Sequence, residues 1–302
     1  MPSVAETTRE PAASGAPATP THAMQCMEVW GGNTAVDNGV VMPGLDVWVL
    51  GRPYAGEHSG GDVHYVSSCA SGRITRMLVA DVSGHGVVVN DIALTLRSLM
   101  RRFVNTVQQG KFVGELNETF AGITDSGCFA TAAVATYFEP TRTLTLSIAG
   151  HPRPLLYRAA EKQWSVAGTA SSLSEQPRNL PLGVLDDTGY DETKIKLAAG
   201  DLVLFYTDSM MEARDAEGRM LGEQGLLRLL AQLTAEGVSA AGLPRALFDR
   251  VHAAGSEPSD DVTLLLLRPN TLSPRSTLLG LLTVLYHSLA RRLSPSREPA
   301  FG

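Results

Sequence analysis

Four short stretches place an acidic residue at the end of an apolar run: Asp62 in SGGDVHY, Asp81 in LVADVSGHG, Asp208 in LFYTDSMMEA, and Asp260 with Asp261 in PSDDVTLLLL. An apolar strand delivers its terminal residue to the rim of a sheet at a fixed height, so four such strands can gather carboxylates that lie far apart in sequence. Gathered carboxylates repel, which raises their pKa values or opens the cluster unless a divalent cation lies between them. Donors that are all oxygen, with no nearby Cys and no paired His, select Mg²⁺ or Mn²⁺ over zinc. Two such ions sharing a carboxylate can activate a water and clamp a phosphoryl group during in-line attack. The chemistry this favours is phosphate hydrolysis.

Taken singly, each acid also has a structural reading, because Asp beside a strand often forms a turn or caps a helix. Asp81 could cap a following helix, Asp62 could form a turn after Gly60 and Gly61, and Asp208 could cap a short helical turn.

The elements that must carry these residues are visible as patterns. Runs rich in β-branched and apolar residues, bounded by Gly, Pro or Asp, predict strands at LDVWVLGRP, RITRMLVAD, FATAAVATYFEP, TLTLSIAGHP, PLLYR, DLVLFYTD and DVTLLLLRP. Pro140 ends one strand just before Leu144, Leu146 and Ile148 restart the alternation, which predicts a hairpin. Ile92, Leu96, Leu99 and Phe103 recur at helical spacing and predict a helix over 88–103. Further helices are expected at 221–233, at 240–252 and around Leu116 and Phe120. Strands come in neighbouring groups with helices between the groups, which predicts an α+β sandwich. GTASSLSEQPRN reads as a polar loop inside the domain.

The 302 residues, 44% of them hydrophobic, suffice for a substantial core. Residues 1–24, rich in small residues and Pro, are expected to be a disordered tail, the folded domain to span 25–270, and 271–302 to form an amphipathic helix and tail. The apolar part of LLGLLTVLYHSLARRL is shorter than the roughly 20 residues needed to span a bilayer, so docking on protein is expected, with a partner or membrane surface as the alternative. A net charge of −6 without a Lys/Arg block argues against nucleic acid as a partner. Cys26, Cys69 and Cys128 are odd in number and scattered, which argues against disulfides and zinc and points to the cytoplasm.

In the order SGGDVHY, ADVSGHG, CFATAAVATYFEPTRTLTLSIAGHPRPLLY, LPLGV, GDLVLFYTDSMMEARD, LGEQGL and SDDVTLLLL, the chain resembles the metal-dependent PPM (PP2C-type) serine/threonine phosphatases. The resemblance runs over roughly residues 52–267 and is to the bacterial branch of SpoIIE- and RsbU-like phosphatases. It implies a four-layer α-β-β-α sandwich, two antiparallel sheets flanked by helices, with two Mn²⁺ or Mg²⁺ ions at one end. Carried over by position, Asp81 would bridge both ions, the Val82 carbonyl would bind one, Asp62 would serve the second, and Asp208 and Asp260 would complete the first. Asp81 and Asp208 are thereby catalytic. His85 is a candidate proton donor with loop shaping as its other reading.

His151 is expected to be a buried hydrogen-bonding residue, His64 an ordinary strand residue, and Met210 and Met211 packing residues. Arg52 could hold phosphate or serve packing. Ser83 and His85 lack the G-x-S-x-G elbow of a serine hydrolase. Tyr65 stands where the family carries a second acid and Ser209 where it carries Gly.

The implied function is hydrolysis of phosphoserine or phosphothreonine by direct attack of a metal-activated water, in a bacterial partner-switching pathway, on a protein such as an anti-anti-sigma-like STAS domain. The alternative is a PPM-fold regulator, weak or inactive in turnover, that binds a phosphoprotein. Control is expected from a partner, from homodimerisation through the 88–103 helix, or from the C-terminal helix.

Overall fold

The computed structural model describes residues 19–24, 28–69, 72–83, 87–103, 106, 108–123, 128–168, 177–214, 218–253 and 258–272. Two sheets are packed face to face. In spatial order, the seven-stranded sheet holds β1 (Thr21–Ala23), β3 (Val36–Met42), β4 (Leu45–Arg52), β13 (Val262–Pro269), β12 (Leu202–Tyr206), β9 (Leu155–Arg158) and β10 (Gln163–Val166). The six-stranded sheet holds β11 (Thr193–Lys196), β8 (Thr143–Ala149), β7 (Ala130–Phe138), β6 (Ile74–Val82), β5 (Ser59–Cys69) and β2 (Val29–Thr34). Helices α1 (Val87–Arg102) and α2 (Gln109–Ile123) cover the six-stranded sheet, whereas α4 (Gly222–Ala235) and α5 (Leu243–Val251) cover the other. A single turn, α3 (Ser209–Glu212), follows β12.

The four layers follow from the two-residue period of strands whose faces are both apolar. In β4, Val47 and Val49 point between the sheets while Trp48 and Leu50 point to α4 and α5. In β13, Leu265 and Leu267 enter the inter-sheet core and Leu264 and Leu266 the helix side. Met77 and Val79 of β6 likewise face inward, with Leu78 and Ala80 against α1 and α2. The run TLLLL is therefore a strand buried twice. Replacing Leu265, fully buried between the sheets, with Ala is expected to cost about 2–5 kcal/mol and to lower the thermal midpoint by on the order of 10 °C in a calorimetric scan.

The expected hairpin joins β7 to β8. Its turn is a 3-10 segment, Glu139–Thr141, closed by Arg142 in the left-handed region at φ 52°. The predicted helices at 88–103, around Leu116, at 221–233 and at 240–252 correspond to α1, α2, α4 and α5, the last preceded by a 3-10 turn.

Two expectations need correction. The tail assigned to residues 1–24 reaches too far, because Thr21–Ala23 pair in parallel with β3 and Thr19 bonds the Ala241 carbonyl. Backbone pairing to an open edge supplied the order that composition did not suggest. Gly60 and Gly61 also belong to β5 itself, so Asp62 is a strand residue and not a turn former. Residues 169–176 of the predicted loop at 168–179, and the C-terminal helix beyond residue 272, lie outside the described residues. Among the described residues no helix is long and apolar enough to cross a membrane.

Candidate active site

Strand register brings the acids together. In the antiparallel pair β5–β6, Asp62 stands directly opposite Asp81, and across β6–β7 Asp81 stands opposite Thr131. Like charges facing one another across a ladder repel. From the other sheet, Asp208 leaves β12 and Asp260 and Asp261 lead into β13, whose pairing with β12 puts both at the same end. Thr207 ties the sheets there: its hydroxyl donates to Asp62 Oδ2 at 2.9 Å and accepts from the Thr263 amide at 2.9 Å.

The two acids of SDDV do different things. Asp261 turns its carboxylate into the fold, where it accepts from the amides of Tyr54 and Gly61, each at 2.6 Å. It thereby fixes the start of β5 against the chain that follows β4. A methyl group on Gly60 would overlap this carboxylate, and one on Gly61 would sit 2.9 Å from the Val82 carbonyl. The glycine pair is therefore a steric requirement: Asp261 and Val82 press against the backbone just before Asp62. Asp260 is exposed, with Oδ1 accepting from the Asp261 amide at 2.8 Å.

The electrostatics are those of a crowded anionic site. Burial, then the charges of Asp208, Asp260, Asp261 and Glu212, raise the Asp81 carboxyl from 3.8 to about 7. Burial and then Asp81 push Asp62 well above the usual range, against the opposing hydrogen bond from Thr207. Although Asp260 is exposed as a residue, partial burial of its carboxyl raises it, the hydrogen bond from the Asp261 amide opposes this, and the charges of Asp261 and Asp208 add to the rise. Asp208 occupies the N-cap position of α3, yet its side chain makes no capping bond. The cap reading of this residue is thus set aside.

The predicted acids Asp62, Asp81, Asp208 and Asp260 all gather at this end, and the Val82 carbonyl stands at its edge beside Gly61. Among the described residues no three His, Cys, Asp or Glu side chains already close into a metal shell. The donors are instead mutually repelling oxygens drawn from both sheets, a set that fits hard divalent cations and lacks the softer ligands zinc prefers.

Two contributors, Glu212 and Thr207, and the structural role of Asp261 were absent from the sequence pattern. Glu212 raises Asp81 and lies four residues after Asp208 on one helical turn, a spacing that could have revealed it. Thr207 and the inward use of Asp261 had no such signal.

The remaining candidates separate cleanly. His151 is buried, with Nδ1 2.8 Å from the Thr131 hydroxyl, and burial lowers it to about 4, so it is a neutral packing and hydrogen-bonding group behind Asp81. His64 is buried edge-on to Trp30, at 5.4 Å between ring centroids. Arg52 lines a small cavity with Asp62 and Asp261 at this end of the sandwich, and its electrostatic neighbours are Arg245, Asp37 and Asp249. Ser83 is engaged with Phe129, its hydroxyl accepting from that amide at 3.0 Å.

Tyr65 is buried in the core beneath α1 and α2, and Ser209 is buried 3.5 Å from the Thr207 hydroxyl that bonds Asp62. Met210 is fully buried and Met211 packs at the core edge. His85 lies outside the described residues.

The family model for Stage II sporulation protein E (SpoIIE) matches residues 71–270, well over half of the chain. The chain belongs to the SpoIIE family. Among curated relatives of this SpoIIE-family protein, phosphoserine phosphatase RsbU of Bacillus subtilis (strain 168) is 24% identical over 226 residues. That match covers 74% of this chain and 63% of RsbU, so the chain spans less than two thirds of that relative.

The RsbU and RsbW domains of Rv1364c from Mycobacterium tuberculosis superpose with a TM-score of 0.65 at 24% identity, over 85% of this chain and 71% of that one. The PP2C phosphatase domain of SpoIIE from Bacillus subtilis, solved with a fragment of its regulatory domain, gives 0.61 at 14% identity, over 81% and 64%. RsbX in complex with magnesium gives 0.57 at 14%, over 78% and 100%. The SpoIIE-family chain thus has the α-β-β-α fold of the PP2C phosphatases.

Proposed function

We propose that this chain is a metal-dependent protein serine/threonine phosphatase that hydrolyses phosphoserine or phosphothreonine without a phosphoenzyme intermediate. The observation that carries this reading is the facing pair Asp62 and Asp81 on one sheet, met by Asp208 and Asp260 from the other. Asp62, Asp81, the Val82 carbonyl, Asp208 and Asp260 would hold two Mn²⁺ or Mg²⁺ ions, which supply Lewis acidity and an activated water when bound. The magnesium complex of RsbX supports that choice of ion.

The chain's own groups do the positioning. Asp261 locks the backbone that presents Asp62, and Thr207 orients the Asp62 carboxylate. Without cations the cluster repels a phosphoryl group; with its charge neutralised it can receive one. The reading needs no side-chain nucleophile, and the Ser83 hydroxyl is already engaged.

The likeness to RsbU and to an RsbU–RsbW protein supports partner switching in the cytoplasm, with a phosphorylated STAS-like domain as substrate. Residues 25–270 would form the catalytic domain, extended by β1, and 271–302 an appended segment for docking or dimer control. The alternative, a regulator with little turnover, draws on Tyr65, which leaves β5 without a second acid at that position.

Hydrolysis of p-nitrophenyl phosphate and of a phosphoserine peptide, measured with a chelator and then with added Mn²⁺, tests both readings. Turnover restored by Mn²⁺ is the expected result. Cation binding in calorimetry without turnover would give the regulator; neither binding nor turnover would remove the metal site altogether.

A further inference from the structure

On the other half of α1, far from the acids in sequence, the helix-covered face of the six-stranded sheet concentrates positive charge. Arg97 and Arg101, one helical turn apart, line a cavity of about 280 Å³ together with Leu94 and Ser98 of α1 and Val29 of the edge strand β2. Val29 is the cross-strand partner of Ser67, and Ser67 of Arg76. Directly opposed residues share a face, so Ser67 and Arg76 lie on the same face of the sheet as Val29, beside the cavity.

Tyr65, Ser67 and Arg76 are buried there; the Tyr65 and Ser67 hydroxyls interact with each other, and Nε and Nη1 of Arg76 have no hydrogen-bond partner. The remaining nitrogen of Arg76 donates to the Thr106 carbonyl, and its guanidinium stacks 4.2 Å above the Phe112 ring. Arg101 belongs to both parts: it lines the cavity and also acts electrostatically on the Tyr65 hydroxyl, as Arg76 does. Among the described residues the ion pairs leave Arg76, Arg97 and Arg101 without a carboxylate.

A buried guanidinium without a counter-charge is costly, and its nitrogens without acceptors add to that cost. An anion held by Arg97 and Arg101 would add a counter-charge on the sheet face that carries Arg76. Guanidinium groups present forked donors that match the oxygens of a tetrahedral dianion, and two of them one turn apart suit its charge. We propose that the cavity between α1 and β2 is a second binding site, separate from the acid cluster, for a small-molecule phosphate, with Arg97 and Arg101 as its ligands and Arg76 as the charge behind them. The volume leaves room for a phosphoester as well as the free ion.

The test is calorimetric titration of the full chain with inorganic phosphate and, in a parallel arm, with glycerol 3-phosphate, both in chelator. Under those conditions the acid cluster is anionic and repels either probe, so the result does not depend on whether the protein is a phosphatase. Saturable binding is expected, weakened about tenfold or more in Arg97→Gln/Arg101→Gln. Arg101→Gln alone, at an exposed position, serves if the double variant fails to fold. Tighter binding of the ester than of phosphate would assign the physiological ligand to a metabolite, and the reverse to the free ion. Absence of binding by either probe, or equal affinity in wild type and arginine variants, overturns the site.

Discussion

Asp81→Asn is expected to lower metal-dependent hydrolysis of a phosphoserine substrate by roughly three orders of magnitude or more, because it would remove a central carboxylate of the proposed metal site. The same substitution is expected to stabilise the protein in chelator. The Asp81 carboxyl sits at about 7 in the folded chain against 3.8 unperturbed. With the folded value raised, the group carries no penalty below about pH 4, where both states are protonated. As pH rises towards 7 the unfolded chain releases its proton first, and stability declines; above 7 the penalty is constant. Burial of Asp62 and its opposition to Asp81 act in the same direction.

Metal-free wild type should therefore melt at a higher temperature near pH 5 than near pH 7.5, with a smaller difference for Asp81→Asn. Thermal scans at the two pH values, with and without Mn²⁺, check both parts. Equal pH dependence in wild type and variant would mean that the cluster is not electrostatically frustrated, and retained turnover in the variant would remove Asp81 from the reaction.

Gly60→Ala is expected to cost roughly 2–4 kcal/mol of stability and about a hundredfold in activity, although Gly60 bears no chemistry. The added methyl would occupy the space of the Asp261 carboxylate. Asp261 must then leave, and the amides of Tyr54 and Gly61 lose their acceptor. Asp62, the next residue but one, loses the backbone that holds it. Gly32→Ala is the matched control, since nothing lies within 4 Å of its added methyl. Chemical denaturation and steady-state kinetics of the two variants separate a local clash from a general intolerance of alanine. Wild-type behaviour in Gly60→Ala would show that Asp261 does not constrain β5.

Much of this frame was legible because the relevant strands are apolar on both faces. β4, β6, β12 and β13 sit between two cores, so their runs of Val and Leu announce themselves. β2 and β3 did not, since Gly31, Gly32, Asn33, Asn38 and Gly39 dilute the pattern. The structure supplies the reason for Gly39, which lies against the Trp48 ring where a side chain would collide. Only pairing partners reveal such strands.

At the acid cluster, position beside apolar runs drew attention to Asp62, Asp81, Asp208 and the pair Asp260 and Asp261, and the family resemblance chose Asp260 of the pair. The adjacent Asp260 and Asp261 could not be told apart by position alone, because their difference lies in which backbone amides each one faces. The inter-sheet role of Thr207 is equally a matter of three dimensions. Arg52, at the end of β4, shares a cavity with Asp62 and Asp261 because its cross-strand partner is Val262, the residue after Asp261, a proximity that spacing along the chain does not reveal.

The acids are hung from two separate sheets, Asp62 and Asp81 on one and Asp208 and Asp260 on the other. The gap they span is therefore gauged by the thickness of the filling, side chains such as Val79, Phe205 and Leu265 stacked between the sheets. A smaller cation asks for a closer set of oxygens than a larger one. In the proposed metal site, preference for one cation size over another would thus be set by greasy side chains that touch no ion.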